Sequence, residues 1–253
     1  MSEQYHIRLS EHEGAGYCIL TGDPGRVEQI AKKNLDNPSF VKTAREFTTW
    51  QGFIDGEKVL VCSTGIGGSS ASIAMEELAN IGVHSFIRIG TCGGMQKKVL
   101  PGDIVVANSA IRMEGTSREY LPIEYPAVAD TEILLCIKSA LDILKYRYHI
   151  GVVQCKDSFY GQHNPGESGV SYELIDKWSA WLKGGCLASE MESAALFTVA
   201  AVRKLRVGSL FHCVWNQELA GSGMPQHRTE DTSSASKAAA LAIKILINCD
   251  REK

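Results

Sequence analysis

Six short apolar runs, at residues 17–21, 58–63, 84–90, 103–107, 149–155 and 207–214, alternate with helical patterns near 24–33, 69–81, 131–145, 171–182, 190–204 and 232–247. Such a chain has few options. Each strand needs a neighbour for its backbone and each helix an apolar surface to cover, which predicts an α/β fold with a central mixed sheet flanked by helices. We expect a single domain over residues 1–253, long enough to bury a core without disulfides or metals. Between the first helix and the second run, the string from Arg45 to Lys58 reads as a β-hairpin turning at Asp55-Gly56. Asp231 or Thr232 is placed to cap the last, Ala-rich helix, which packs through Ala239, Leu241, Ile243 and Ile247.

Ligands of such sheets collect at the carboxyl ends of strands. Gly22, Thr64-Gly65, Gly90-Thr91 and Asp157-Ser158 all fall at those ends, so segments far apart in sequence should meet. Two of them set an arginine beside a glycine turn: Gly22-Asp23-Pro24-Gly25-Arg26 and Arg88-Ile89-Gly90-Thr91-Cys92-Gly93-Gly94. Glycine lets backbone N–H groups approach an oxyanion closely, while a helix N-terminus and a guanidinium add positive potential and forked donors. Pro24 suits a first helical turn, and Arg26 then points back toward the glycine. With Arg45 as a third arginine, the segments read as an anion site with phosphate foremost. Plain turn chemistry is the alternative for either one alone.

Three further segments carry chemistry. Thr64-Gly65-Ile66-Gly67-Gly68-Ser69-Ser70 imitates a dinucleotide loop, but Ser70 stands where the third glycine belongs and the next strand ends at Arg88-Ile89-Gly90 without a carboxylate for a ribose. No Gly-Lys pair exists, so a P-loop is absent. Ser189-Glu190-Met191-Glu192-Ser193 opens a helix with two carboxylates. They serve either as dipole partners or as a grip on vicinal sugar hydroxyls that also stabilises positive charge on a sugar ring. Lys156 to Pro165 reads as a loop that mixes aromatic faces with amide and imidazole donors, fit to stack a planar base and read its edge, or simply to pack locally.

A net charge of −3 with both signs interspersed argues against a nucleic-acid groove or an anionic membrane surface as partner. No apolar stretch reaches the length that spans a bilayer, and Met1 to His6 lacks the basic and apolar regions of a signal peptide, so a cytoplasmic protein is expected. Eight cysteines without CxxC or zinc spacing read as reduced, mostly buried thiols.

In this order, the pieces resemble the nucleoside phosphorylase-I family, with the nearest match among its uridine phosphorylases. The resemblance runs through Tyr5-His6, Gly22 to Arg26, Arg45-Glu46-Phe47-Thr48-Thr49-Trp50, Cys62 to Gly68, Ile87 to Thr91, Phe159 to Gln162, Glu190-Met191-Glu192 and Asn216, and so covers nearly the whole chain. It implies that family's fold and the reversible phosphorolysis of uridine to uracil and ribose 1-phosphate, with inorganic phosphate as co-substrate and no required cofactor. Gly22, Arg26, Arg88 and Thr91 would hold phosphate, with Arg45 reaching in from a neighbouring subunit. Thr91, Met191 and Glu192 would hold ribose, with His6 of that neighbour at its 5′ end. Phe159 and Gln162 would take the base, and Arg88, Glu192 and Gln162 would carry the catalysis. The resemblance further implies a monovalent cation such as K+ between subunits, at Glu46, Ile66 and Ser70, and a homo-oligomer built from dimers, as a hexamer.

Two departures stand out. Uridine phosphorylases carry an arginine shortly after the base-reading glutamine and another just after the asparagine, where this chain has Asn164 and Gln217. His163 is the candidate replacement. Asn216 stands where purine-specific relatives place an aspartate that protonates the base, which an amide cannot do, and a purine nucleoside phosphorylase is therefore only the second reading. A hydrolytic nucleosidase or a non-catalytic nucleoside-binding protein comes third. Ala220 to Pro225 reads as part of a lid or as a surface loop.

Overall fold

A computed structural model describes residues 3–253, so Met1 and Ser2 of the N-terminal string lie outside the described residues. In chain order the elements are β1 (Tyr17–Thr21), α1 (Pro24–Asn34), β2 (Asp36–Ala44), β3 (Phe47–Ile54), β4 (Glu57–Ser63), α2 (Gly68–Asn80), β5 (Ser85–Gly94), β6 (Ile104–Arg112), α3 (Thr116–Tyr120), β7 (Ala127–Val128), α4 (Thr131–Leu144), β8 (Tyr148–Cys155), α5 (Phe159–His163), α6 (Ser171–Lys183), β9 (Ala188–Glu190), α7 (Ser193–Arg203), β10 (Arg206–Asn216), α8 (Gln217–Gly221) and α9 (Ser233–Arg251).

All strands belong to one ten-stranded sheet in the order β10-β6-β8-β9-β5-β1-β4-β3-β2, with β7 on β6. Because β10 also pairs with β5, the strands β5, β10, β6, β8 and β9 close into a ring, and the remaining strands extend from β5 as an open sheet. The pairings are mixed: β1 is parallel to β4 and β5, and β10 is parallel to β5 but antiparallel to β6. Alternate side chains of β1 enter opposite layers, as a period of two requires. Tyr17 and Ile19 join Val27, Ile30, Ile133, Ile137 and Ile243 beneath α1, α4 and α9. Cys18 and Leu20 join Met75, Leu78, Leu196 and Val199 beneath α2 and α7. Seven cysteines are buried and free, and Cys249 is exposed and free. No helix among the described residues is long and apolar enough to cross a membrane.

The expected hairpin turns at Asp55-Gly56, with φ of 49° and 82°. It begins only at Phe47, however, since Arg45 and Glu46 form a second turn back to β2, which the sequence reading lacked. That strand is mostly polar and exposed and contains Pro38, so it offers none of the alternation by which a half-buried strand is recognised. Likewise, the glycines after Arg88 do not end β5. The strand continues to Gly94 because β10 pairs with it as far as Asn216 and β9 pairs with Gly93 and Gly94, so tertiary pairing overrides the local glycine signal. Residues 190–192 precede the helix expected there, with Glu190 in β9 and Glu192 at the N-cap of α7. The stretch from Phe159 to His163, expected as loop, forms a single helical turn capped by Ser158, whose Oγ accepts from the Gly161 N–H at 2.9 Å. Of the two residues placed to cap α9, Asp231 accepts the Ser233 N–H at 2.9 Å, while Thr232 makes no capping bond.

One polar node ties the starts of β1, β5 and β10 to α9. Arg206 donates to the Asp250 carboxylate at 2.6 and 2.7 Å and to Ser85 Oγ at 2.7 and 3.0 Å, and the Tyr17 hydroxyl donates to the same carboxylate at 2.9 Å. These bonds, chiefly those from Arg206, hold the Asp250 carboxyl at about 2, below its ordinary 3.8. A carboxyl whose folded pKa lies below its unfolded one stabilises the fold above the unfolded value and loses that contribution as pH falls through the folded value. Asp250→Asn is therefore expected to cost about 2 kcal/mol at pH 7, with the gap to wild type closing between about pH 4 and pH 2. Urea denaturation across that range measures it, and a gap independent of pH would remove the carboxylate from this role.

Candidate active site

A cavity of about 750 Å3 opens where β1, β4 and β8 end and alongside Gly90 to Gly93 within β5; of the residues expected to converge, Gly22, Gly65, Gly90 and Thr91 line it, and Lys156 joins them. Asp157 and Ser158 instead face a smaller neighbouring cavity of about 310 Å3. The larger volume suits a small-molecule site.

At its floor lies Arg88, held by β5 between Leu20 of β1 and Ser209 of β10 and only 4% exposed. Its Nη2 donates to the Glu192 carboxylate, whose other oxygen accepts the Gly67 N–H at 2.7 Å. The glycine-rich loop before α2 thus spends a backbone donor on an internal carboxylate. Arg88 Nε and Nη1 are buried without a protein partner among the described residues. The guanidinium lies 5.3 Å from the Phe211 ring centre, and a Cβ built on Gly90 would come within 2.2 Å of Nη1. Only glycine at 90 leaves room for the side chain to fold against its own strand. A buried guanidinium with unspent donors favours an anion strongly, because those donors have already lost their water.

Arg26 stands at the mouth of the same region and turns back as expected, its Nε 3.5 Å from Asp23 Oδ2. Asp23 caps α1 by accepting the Gly25 N–H at 2.8 Å, and Pro24 occupies the first helical turn. Gly22 packs so closely that a Cβ there would sit 3.3 Å from the Gly65 carbonyl oxygen.

The two carboxylates of the Glu-Met-Glu triplet have separate tasks. Glu190 accepts the N–H groups of Glu192 and Ser193 at 2.9 to 3.1 Å and so satisfies the start of α7, although burial raises its carboxyl against the pull of Arg88. Glu192 instead faces Arg88 across the cavity floor. Met191 lines the wall beside it.

Phe159, Gln162 and His163 line the opposite end. Gln162 Oε1 accepts from the Ser189 hydroxyl, and its Nε2 donates to Gln217 Oε1 at 3.3 Å. The amide is therefore oriented from both sides. His163 packs on Phe159 with ring centres 4.3 Å apart, and its pKa is lowered, first by burial and then by the nearby Lys156 ammonium. Asn216 lies outside the cavity and is fully committed. Its Nδ2 donates to the carbonyls of Gln96 and Val99 at 2.9 and 2.7 Å, and its Oδ1 accepts the N–H groups of Glu218 and Leu219 at 2.9 and 3.0 Å.

Arg45 and His6 do not line this cavity. Arg45 lies in the β2–β3 turn with its guanidinium 5.9 Å from the Tyr5 ring centre, and His6 Nδ1 meets Glu77 Oε1 at 2.6 Å. Nearby, Ser70 Oγ donates to Glu46 Oε1 at 2.8 Å, and Ile66 is 77% exposed. From Ala220 to Pro225 no residue lines the cavity, whereas Arg228 and Glu230 beyond it do. The sequence reading missed Lys156 and Ser189, which meet at 2.7 Å beside Gln162. The signal was present in Lys156, a cation placed directly after an apolar strand.

A profile of the Phosphorylase superfamily matches residues 17–249. Among characterised relatives, a protein named uridine phosphorylase from Treponema pallidum (strain Nichols) is 46% identical over 98% of this chain and 95% of its own length. Another of that name from Haemophilus influenzae is 38% identical over 96% and 99%. A protein named guanosine phosphorylase from Halorubrum lacusprofundi is 38% identical over 83% of this chain and 82% of its own. With a profile match across nearly all its length and relatives this close around one cavity, the chain belongs to the phosphorylase superfamily.

Proposed function

We propose that this protein is a uridine phosphorylase, a pentosyltransferase that cleaves uridine with inorganic phosphate to give uracil and ribose 1-phosphate in pyrimidine salvage. The observation that carries the reading is the Arg88–Glu192 pair, which sets unspent guanidinium donors and a carboxylate side by side on the floor of a nucleoside-sized cavity. Phosphate is assigned to Gly22, Arg26, Arg88 and Thr91, ribose to Thr91, Met191 and Glu192, and base to Phe159, Gln162 and His163.

The transition state carries a cationic sugar between an anionic phosphate and a departing anionic base, so preorganised charge at each end matters more than a strong general base. An arginine about 4 Å from a phosphate charge gains roughly 4 kcal/mol at an effective dielectric of 20, against about 1 in water. Burial of Arg88 supplies that environment, and Glu192 faces the sugar where positive charge grows. Asn216 favours a pyrimidine over a purine. Its amide has no donor left to offer, and it occupies the place of the aspartate that protonates a purine.

Arg45 and His6 lie beyond the cavity of their own chain, on the edge that also carries Glu46. We assign that edge to a second copy, so that a dimer completes each site and dimers build a hexamer of single-domain, cytoplasmic subunits. Glu46, Ser70 and the Ile66 carbonyl offer hard oxygen donors of the kind that hold K+, which would neutralise the Glu46 carboxylate at the subunit boundary.

Incubation with uridine, thymidine, inosine and adenosine, with and without phosphate, is expected to release uracil from uridine only when phosphate is present. Release without phosphate would indicate hydrolysis, and release from purines alone would reverse the assignment of the base. Gly90→Ala pushes Arg88 out of place, so the KM for phosphate should rise about tenfold or more, with the melting temperature lowered as Glu192 loses its buried partner. An unchanged KM would place the anion elsewhere. Gln162→Ala is expected to lower kcat/KM for uridine by about a hundredfold, and retained kinetics would free that amide from base recognition.

A further inference from the structure

We propose that Lys156 is the cation that stabilises the departing pyrimidine anion, taking the part left vacant where Asn164 and Gln217 stand in place of arginines. The inference rests on the uridine phosphorylase reading above.

Lys156 follows β8 directly, so its Cα is fixed by the sheet, and its backbone N–H donates to the Glu190 carbonyl at 3.2 Å. Its side chain is buried, 4% exposed, yet it lines the cavity beside all three base-site residues. Nζ lies 6.0 Å from the Phe159 ring centre, lowers the pKa of His163, and donates at 2.7 Å to Ser189, whose hydroxyl donates on to Gln162. An ammonium has three donors, and among the described residues only the bond to Ser189 is made. Burial disfavours this ammonium and the Glu190 carboxylate opposes that shift, while behind it Met113, Leu174, Trp178 and Trp181 wall the smaller cavity with apolar surface. A charge so poorly hydrated interacts strongly with an anion that forms beside it. His163 cannot fill this part, since burial and Lys156 together favour its neutral form.

In the step itself a phosphate oxygen bonds to C1′ as the C1′–N1 bond breaks, and the electron pair of that bond leaves with the ring. No proton moves at this stage. Lys156 remains an ammonium and donates to the ring as charge develops, and uracil takes its proton from water afterwards.

The test compares uridine with 5-fluorouridine, whose base is the more acidic and needs less help to leave. Lys156→Met and Lys156→Gln are measured beside wild type, the glutamine retaining an N–H for Ser189 while removing the charge. Both variants are expected to lose about a hundredfold in kcat on uridine and tenfold or less on 5-fluorouridine. Equal losses on the two nucleosides, or restoration of uridine cleavage by glutamine, would show that Lys156 acts only by positioning Gln162 and would overturn the proposal. Should the variants not fold, wild type alone decides it. With inorganic phosphate present it should bind barbiturate, an anion of the same ring at neutral pH, about tenfold tighter or more than uracil, and equal affinities would overturn the assignment. Absence of phosphate-dependent uridine cleavage by wild type would refute the functional reading itself, whereas normal wild-type cleavage with equal variant losses would refute only the role of Lys156.

Discussion

The architecture of the site depends on a guanidinium lying flat against its own strand. Arg88 reaches Glu192 only because Gly90 carries no side chain, and Glu192 sits opposite only because Glu190 has already satisfied the first N–H groups of α7. Two short segments about a hundred residues apart thus share one geometric requirement. Burying one charge without the other would cost several kcal/mol, which makes the pair a joint condition of folding as much as of chemistry. The donors that the pair does not use give the cavity its preference for anions.

Charge is distributed with similar economy at the opposite end. Gln162 is neutral and oriented from both sides, His163 is neutral by burial, and the positive charge is concentrated on Lys156. The relay from Lys156 through Ser189 to Gln162 couples the charge to the amide that reads the base. A change at Ser189 would therefore disturb recognition and charge together, which fits its placement on β9, a strand pinned by β5 on one side and β8 on the other.

Much of this was legible in the chain. Alternating apolar runs revealed the layers, and Pro24 and Arg26 showed the first helix start with its returning arginine, because helix-start and turn chemistry act over a few residues. What escaped notice depends on distant pairing. The Gly90 to Gly94 stretch looks like a turn and is a strand, since its conformation is set by β10 and β9. β2 is polar and exposed, and its existence is decided by the turn at Arg45 and Glu46. The separate duties of Glu190 and Glu192 were not readable from their spacing, because they depend on a strand ending between the two. Lys156 was visible but unread, as a lone lysine gains meaning only from what surrounds it.

Asn216 has a consequence for how the family's chemistry can diversify from this scaffold. An aspartate there would turn a carboxylate toward the carbonyls of Gln96 and Val99, which now receive both N–H groups of the amide, and a protonated acid could serve only one of them. The position is mortgaged to the loop between β5 and β6 and to the cap of α8. A lineage starting from this sequence could not acquire an acid for purines by one substitution, but would first have to rebuild the support beneath it.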